Sequence, residues 1–257
     1  MAQRPQALLL KFPGTNCDAE TARALEATGF DAAVLPVSGL SPDALEGVGL
    51  VVLSGGFSYG DYIMAGRLAR IEMQLRLGDR LRAFVDGGGH VLGICNGFQI
   101  LSQLGLLPRG SLVDNTSGRF ICRWVRLRRA ADSPYLRGLP DRFELPVAHA
   151  EGRFVAPGDD AARYLDEGLV PLVYEDDVNG SMAGIAGLQD QTGRVFGLMP
   201  HPERFLYRRH HYDPDWHPGT ADDTIAADGE SRPGDSNGWG WGHHVFSAAR
   251  AAVQAGG

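Results

Sequence analysis

The chain has 257 residues, 44% of them hydrophobic and 21% charged, which suits a globular protein of one large domain or a domain with an appendage. Its formal net charge of −7 is the wrong sign for a nucleic-acid binder that works by neutralising phosphates. Lys11 is the only lysine, so a Gly-Lys-Ser/Thr phosphate loop is absent and a Schiff-base cofactor is disfavoured. Three cysteines at irregular spacing fit a reducing compartment, and the expected location is the cytosol. The polar start Met1-Ala2-Gln3-Arg4-Pro5 and the apolar run after it are too short for a signal peptide or a membrane span.

Residues 7–12 form a continuous apolar run closed by Pro13-Gly14, a predicted buried strand. Thr15-Asn16-Cys17-Asp18 offers N-cap side chains for a helix through Thr21, Leu25 and Ala27 that ends at Gly29. Residues 32–37 and 50–54 read as the next two strands. The second runs into Gly55-Gly56-Phe57-Ser58-Tyr59-Gly60-Asp61-Tyr62, a loop suited to presenting backbone N–H groups or, on the plainer reading, merely flexible. Residues 65–85 follow a helical pattern through Leu68, Ile71, Leu75, Phe84 and Val85, with a break expected at Gly78. Asp86-Gly87-Gly88-Gly89 leads into a strand and not a helix, so it is a turn and not a phosphate loop.

The strand it introduces carries the most informative stretch, His90-Val91-Leu92-Gly93-Ile94-Cys95-Asn96-Gly97-Phe98-Gln99. A cysteine between two glycines, after an apolar run and before a helical pattern to about residue 104, has the layout of a strand-to-helix elbow that exposes a nucleophile. The helix that follows brings free N–H groups and its positive end to the sulfur, which favours the thiolate. The alternative is a small buried cysteine in a Gly-rich turn. Strand, helix, strand, helix in this rhythm predicts βαβ units and a parallel sheet covered on both faces.

Beyond Pro108 the rhythm changes. Residues 120–127, 143–148, 169–174, 182–188 and 195–198 read as strands with few helices between them, an antiparallel extension of the sheet plus a small subsidiary sheet. The arginine cluster at 123–129 alternates with apolar residues, as an edge or half-exposed strand would. Residues 207–241 are rich in Asp, Gly, Pro and His and read as a long surface insertion, followed by a final helix at about 244–253. The histidines His210, His211, His217, His243 and His244 lack zinc-ligand spacing with cysteines and are expected to be exposed loop residues; no metal site is expected.

A cysteine nucleophile needs a base, a group to orient that base, and donors for the oxyanion. Gly197-Leu198-Met199-Pro200-His201-Pro202-Glu203-Arg204 follows an apolar strand and offers the first two. Pro202 forces His201 into extended geometry, and in an extended segment Glu203 faces the same way as His201, so the carboxylate can fix the tautomer. The plainer alternative is a strand-end histidine with Glu203 salt-bridged to Arg204. The oxyanion donors would be the N–H of Asn96 and one from the Gly56-Phe57 loop. His149, at the end of a strand-like stretch, is the competing base; Cys17 and Cys122 lack glycine elbows and read as structural or pocket-lining.

Together these motifs resemble the class I glutamine amidotransferases, through Gly93-Ile94-Cys95-Asn96-Gly97-Phe98-Gln99 with His201-Pro202-Glu203. Phe12-Pro13-Gly14-Thr15-Asn16-Cys17-Asp18, the Gly55–Tyr62 loop, Asn115-Thr116-Ser117-Gly118-Arg119-Phe120, Ala148-His149-Ala150-Glu151-Gly152-Arg153-Phe154, Asn179-Gly180-Ser181 and Met199-Pro200-His201-Pro202-Glu203-Arg204 narrow the resemblance. They resemble the glutaminase subunits of phosphoribosylformylglycinamidine synthases, and the matches span residues 7–206. The resemblance implies a flavodoxin-like α/β fold in a single domain over 1–257, with a mostly parallel central sheet flanked by helices. It also implies that Cys95 forms a γ-glutamyl thioester, with His201 as acid and base and Glu203 orienting it. Gln99 would line the glutamine pocket, and the segment with Ser117 and Phe120 would contact the amino-acid end of the substrate. Ammonia would pass to a large synthetase subunit, often with a small third subunit. The synthetase would need ATP and Mg, and this chain would need no cofactor. The long insertion and Ala150, where a glycine is expected, depart from the family pattern. The insertion is expected near the site rim or the partner surface. The rival readings are a glutaminase serving another pathway, a stand-alone cysteine hydrolase of the same superfold and a catalytically silent subunit used for assembly.

Overall fold

The computed structural model describes residues 4–12, 14–41, 43–56, 78–216 and 238–256. Its first half alternates as expected: β1 (Gln6–Lys11), α1 (Asp18–Ala27), β2 (Asp31–Pro36), β3 (Val48–Leu53), α2 (Gly78–Asp86), β4 (His90–Ile94) and α3 (Asn96–Leu104). Of the helix expected at 65–85, α2 is the described part. Leu68, Ile71 and Leu75 lie outside the described residues, as do Pro13, His217 and loop residues 57–62, Phe57 included.

The second half contains β5 (Ser111–Asp114), β6 (Ile121–Arg129), β7 (Arg142–His149), β8 (Glu151–Val155), α4 (Asp160–Asp166), β9 (Leu172–Tyr174), β10 (Ile185–Gln189), β11 (Val195–Leu198) and α5 (Trp241–Gly256). The strand expected at 169–174 shortens to β9. The N–H of Leu169 closes the end of α4 on the Tyr164 carbonyl, and Pro171 has no N–H to give a ladder. The strand expected at 182–188 starts only at Ile185, because Met182–Gly184 is a 3-10 turn with Ala183 at φ +53°. Helix α4 is an element that no sequence signal singled out.

The strands form a nine-stranded sheet in the order β2-β1-β3-β4-β11-β10-β9-β6-β7. The run β2-β1-β3-β4-β11 is parallel throughout, and β10, β9, β6 and β7 continue it with antiparallel pairings. β5 and β8 make the small subsidiary sheet. β1, β3 and β4 are buried along nearly their whole length, as strands covered on both faces must be. Helices α1 and α5 pack together on one face and α3 on the other. From β1 the chain winds outward to β2 and then, in the opposite sense, to β3, β4 and β11. That reversal is the topological switch point where doubly wound sheets place their sites, outside the carboxyl ends of the strands.

Two features of the second half shape that edge. β6 is longer than β9, which it pairs only over Leu127 to Arg129. The remainder of β6 pairs with β7, and this two-stranded ribbon reaches past the carboxyl edge and curls back over it. There the Pro146 carbonyl accepts the N–H of His201 at 2.8 Å. In the described ends of the insertion, residues 209, 210 and 212–215 are exposed as expected, but aromatic contacts tie the segment to the body of the protein. Tyr207 bridges to Trp239, and His211 is buried among Trp124, Phe205 and Trp216, with Nε2 3.3 Å from the Glu144 carboxylate. His243 and His244 also leave the expected loop, because α5 begins at Trp241 and carries both half-buried; His210 alone of the described histidines in this group is exposed. The apolar edges of the aromatic rings, invisible in a segment without periodicity, provide the burial.

Candidate active site

Four strand ends converge at the switch point. Thr15 to Cys17 follow β1, Gly55 and Gly56 follow β3, Cys95 follows β4, and His201 follows β11. Cys95 is the elbow. It sits at φ +53°, ψ −106°, a conformation that costs a non-glycine residue about 1–3 kcal/mol. Its neighbours hold it there: its N–H donates to the Leu198 carbonyl at 2.7 Å, and its carbonyl accepts from Gln99 at 3.2 Å. The first turn of α3 lies flush on the sheet because Gly97 has no side chain. A methyl group there would stand 2.0 Å from the Leu53 carbonyl oxygen.

Gly55 and Gly56 are required by what they touch. A methyl on Gly55 would stand 2.7 Å from His201 Cε1 and 3.4 Å from Cys95 Cβ, so this backbone packs directly on the two side chains. Gly56, at φ +131°, meets the backbone of Thr15 and Asn16. Asn96 begins α3 immediately after Cys95, so its backbone N–H belongs to the first turn of the helix.

His201 and Glu203 are buried and form a 2.6 Å contact between Nδ1 and Oε1. The contact is made differently from the expected extended segment. Pro202–Arg204 is a 3-10 turn, and His201, at φ −105°, ψ 87°, precedes it. The turn folds Glu203 back onto the imidazole. The competing pair of Glu203 with Arg204 does not form: Arg204 Nε reaches Glu20 on α1 at 3.1 Å, and Nη2 reaches the Cys17 sulfur at 3.2 Å.

Burial disfavours the charged imidazole of His201, but the carboxylate of Glu203 and the negative charge of Cys95 outweigh it and hold its pKa well above the ordinary 6.5. An imidazolium paired with a carboxylate through Nδ1 keeps Nε2–H free to give its proton to a leaving group. Glu203 here occupies the place that the acid has in a nucleophile–base–acid triad.

His149 has a different setting. The side-chain N–H groups of Asn115 donate to the carbonyls of Arg119 and His149 at 2.9 Å each, so the Asn115 oxygen must face His149 Nδ1, at 3.1 Å, and Gly152 N–H. The imidazole proton therefore sits on Nδ1, and Nε2 offers a lone pair. Burial, helped by the positive charge of His201, lowers its pKa to about 4. Without a carboxylate partner it is the weaker candidate for the base.

Gln99 is half-buried, and its amide donates to the Glu151 carbonyl at 2.6 Å, joining α3 to the start of β8. Ser117 and Phe120 stand on an exposed loop joined to the site through Asn115 and His149; Phe120 is 50% exposed. Cys122 is exposed on β6.

Cys17, read from the sequence as structural or pocket-lining, stands beside the His201–Glu203 pair. It is buried at the start of α1, where it is the N-cap residue without a capping side chain, contrary to the caps expected from Thr15, Asn16 and Asp18. Its sulfur and ligand atoms of His201 and Glu203 all lie within 4.8 Å of one another. Among the described residues this is the group that could hold a metal ion, although His201 Nδ1 and Glu203 Oε1 already occupy each other. Its signal in the sequence was position: it follows β1 at the switch point.

A family model of the CobB/CobQ-like glutamine amidotransferase domain matches residues 4–229. The chain is 41% identical over 204 residues to the phosphoribosylformylglycinamidine synthase subunit PurQ of Thermotoga maritima, covering 78% of this chain and 88% of that one. It is 45% identical over 197 residues to the PurQ of Rubrobacter xylanophilus, covering 75% and 86%. A solved structure of PurLQS from Thermotoga maritima contains a chain that superposes with a TM-score of 0.68 at 38% identity, over 79% of this chain and 90% of that one. A solved glutamine amidotransferase from the same organism shares the fold, with a TM-score of 0.54 at 20% identity over 81% of this chain and 80% of that one.

Proposed function

The chain belongs to the glutamine amidotransferase family, and from that premise we propose that it is the glutaminase subunit of a phosphoribosylformylglycinamidine synthase. It hydrolyses glutamine and delivers the ammonia to a synthetase subunit that converts formylglycinamide ribonucleotide to its amidine in purine biosynthesis. Relatives at about 40% identity are named phosphoribosylformylglycinamidine synthase subunit PurQ, and a chain of the PurLQS assembly superposes on this one. The observation that carries the reading is the meeting of Cys95, His201 and Glu203 at the carboxyl edge of the sheet.

In this reading the Cys95 thiolate attacks the side-chain carboxamide of glutamine, and the oxyanion develops against the backbone N–H of Asn96 and one from the Gly56-Phe57 stretch. The carbon–nitrogen bond breaks as His201 gives its Nε2 proton to the nitrogen. Neutral ammonia and a γ-glutamyl thioester result. His201, now neutral, takes a proton from water as the water attacks the thioester, and glutamate leaves as the thiolate is restored. Glu203 keeps the ring oriented and supports its charge in both steps. Gln99, Ser117 and Phe120 contribute to holding the substrate. ATP and Mg²⁺ act in the synthetase. The chain works as one amidotransferase domain with the 207–241 segment inserted before α5. No described helix is long and apolar enough to cross a membrane, and the three free cysteines suit the cytoplasm.

The test is glutamine-dependent and ammonia-dependent amidine synthesis by the assembled complex carrying Cys95→Ala. Glutamine-dependent synthesis should vanish while ammonia-dependent synthesis persists. Continued use of glutamine would remove Cys95 as the nucleophile.

A further inference from the structure

Buried polar atoms in folded proteins almost always have a hydrogen-bond partner, so an orphan beside a reacting centre needs a reason. The buried side-chain atoms without a hydrogen-bond partner include His201 Nε2, Glu203 Oε2, His149 Nε2 and the Tyr174 hydroxyl. The first two belong to the triad and serve the proton transfers. The other two are not used by any step above. His149 is 4% exposed and Tyr174 6%.

Their positions are dictated by the fold. Tyr174 ends β9, which runs in the same direction as β4 and β11, so it stands on the same carboxyl edge as Cys95 and His201. His149 ends β7, in the ribbon that curls over that edge; the carbonyl of its neighbour Ala148 lies 3.8 Å from the Cys95 sulfur. Their electrostatics agree with this placement. Burial, with the Cys95 charge added, raises the Tyr174 hydroxyl far above its ordinary pKa. Burial and the His201 charge push His149 down to about 4.

We infer that the Tyr174 hydroxyl and His149 Nε2 form the receiving site for the ammonia expelled from the thioester, holding it by hydrogen bonds in its neutral form. This rests on the glutaminase reading above. The chemistry of the two groups fits this ligand. Ammonia has three N–H donors and one lone pair. His149, its proton fixed on Nδ1 by Asn115, offers an acceptor, and the phenol offers an acceptor and a donor. Neither group can protonate the ammonia: the imidazole is uncharged above about pH 5, and the phenol is a weaker acid than ammonium. An ammonium ion could not act as a nucleophile in the synthetase, so a receiver that donates no proton preserves what the partner uses.

The experiment compares Tyr174→Phe and His149→Leu with wild type in the assembled complex, measuring glutamate released and amidine formed in the same reaction. Acylation of Cys95 by a diazoketone glutamine analogue, and amidine synthesis from added ammonium salt, check that the triad and the synthetase are intact. The expected result is near-normal glutamate release with amidine per glutamate reduced about threefold or more in each variant, the scale of one lost buried hydrogen bond. A ratio that stays at the wild-type value in both variants overturns the inference. So does a parallel fall of glutamate and amidine, which assigns the two side chains to the hydrolytic step or to ordered water serving it. If the wild-type complex makes no amidine from glutamine, the function itself is refuted, and the inference with it.

Discussion

At the residue scale the site turns on a charge balance at His201. Burial alone would leave the imidazole neutral, and the nearby Glu203 and Cys95 reverse that. The carboxylate therefore does more than orient the ring. Glu203→Gln keeps the size and one acceptor but removes the charge, so glutamine hydrolysis should slow by about 10³–10⁴-fold, the scale seen when a triad acid becomes an amide. The His201 imidazole signal, followed by NMR against pH, should titrate at a lower pH than in wild type. An unmoved titration would show that Glu203 is not what raises it. The pairing itself depends on Arg204 being engaged elsewhere, with Glu20 and the Cys17 sulfur, which leaves Glu203 to His201 alone.

At the scale of elements, two contacts deliver Cys95 to the carboxyl edge and cover it. Helix α3 reaches the sheet because Gly97 lets its first turn touch the Leu53 backbone, and that turn supplies both the Cys95 elbow and the Asn96 N–H. Gly97→Ala should therefore lift the first turn of α3, lower the stability measured by urea unfolding by several kcal/mol and abolish glutaminase activity. Gly105→Ala, at the other end of the same helix, meets open space at φ +69°. It should cost only about 1 kcal/mol and leave activity intact. Equal losses in the two variants would contradict the close-approach argument. The ribbon of β6 and β7 is the second device, since its return over the carboxyl edge brings Pro146 to His201 and Ala148 to Cys95.

At the scale of the whole molecule, acid sensitivity is built into buried and half-buried histidines. His149, His243 and His244 all have folded pKa values lowered to about 4, each chiefly by burial. The unfolded chain binds these protons near the ordinary 6.5 and the folded chain only near 4, so unfolding is favoured as pH falls through that window. Their contribution is complete above pH 6.5 and lost progressively below it. The denaturation midpoint should drop between pH 7 and pH 5, above the range where carboxylates titrate, and His244→Leu should flatten the drop. His201 has the opposite sign. Its raised pKa adds stability that is full below 6.5 and lost as pH rises through the folded value. A midpoint that does not move between pH 7 and pH 5 would contradict the burial of these rings.

Local pattern was enough to read the parallel half of the sheet, the elbow at Cys95 and the partnership of His201 with Glu203. Apolar runs, flanking glycines and a proline act within a few residues of themselves. The same locality explains the errors. The 3-10 turn at Pro202–Arg204, the shortened β9 and the short α4 depend on which backbone groups find partners, and those partners come from other elements. His211 looked like an exposed loop residue because its burial against Trp124, Phe205 and Trp216 is a contact among separate segments. Tyr174 carried no local sign of its place beside the site, and Cys17 carried only its position after a strand. β1 and β9 bring them to the carboxyl edge, and only the order and direction of strands in the folded sheet could decide that.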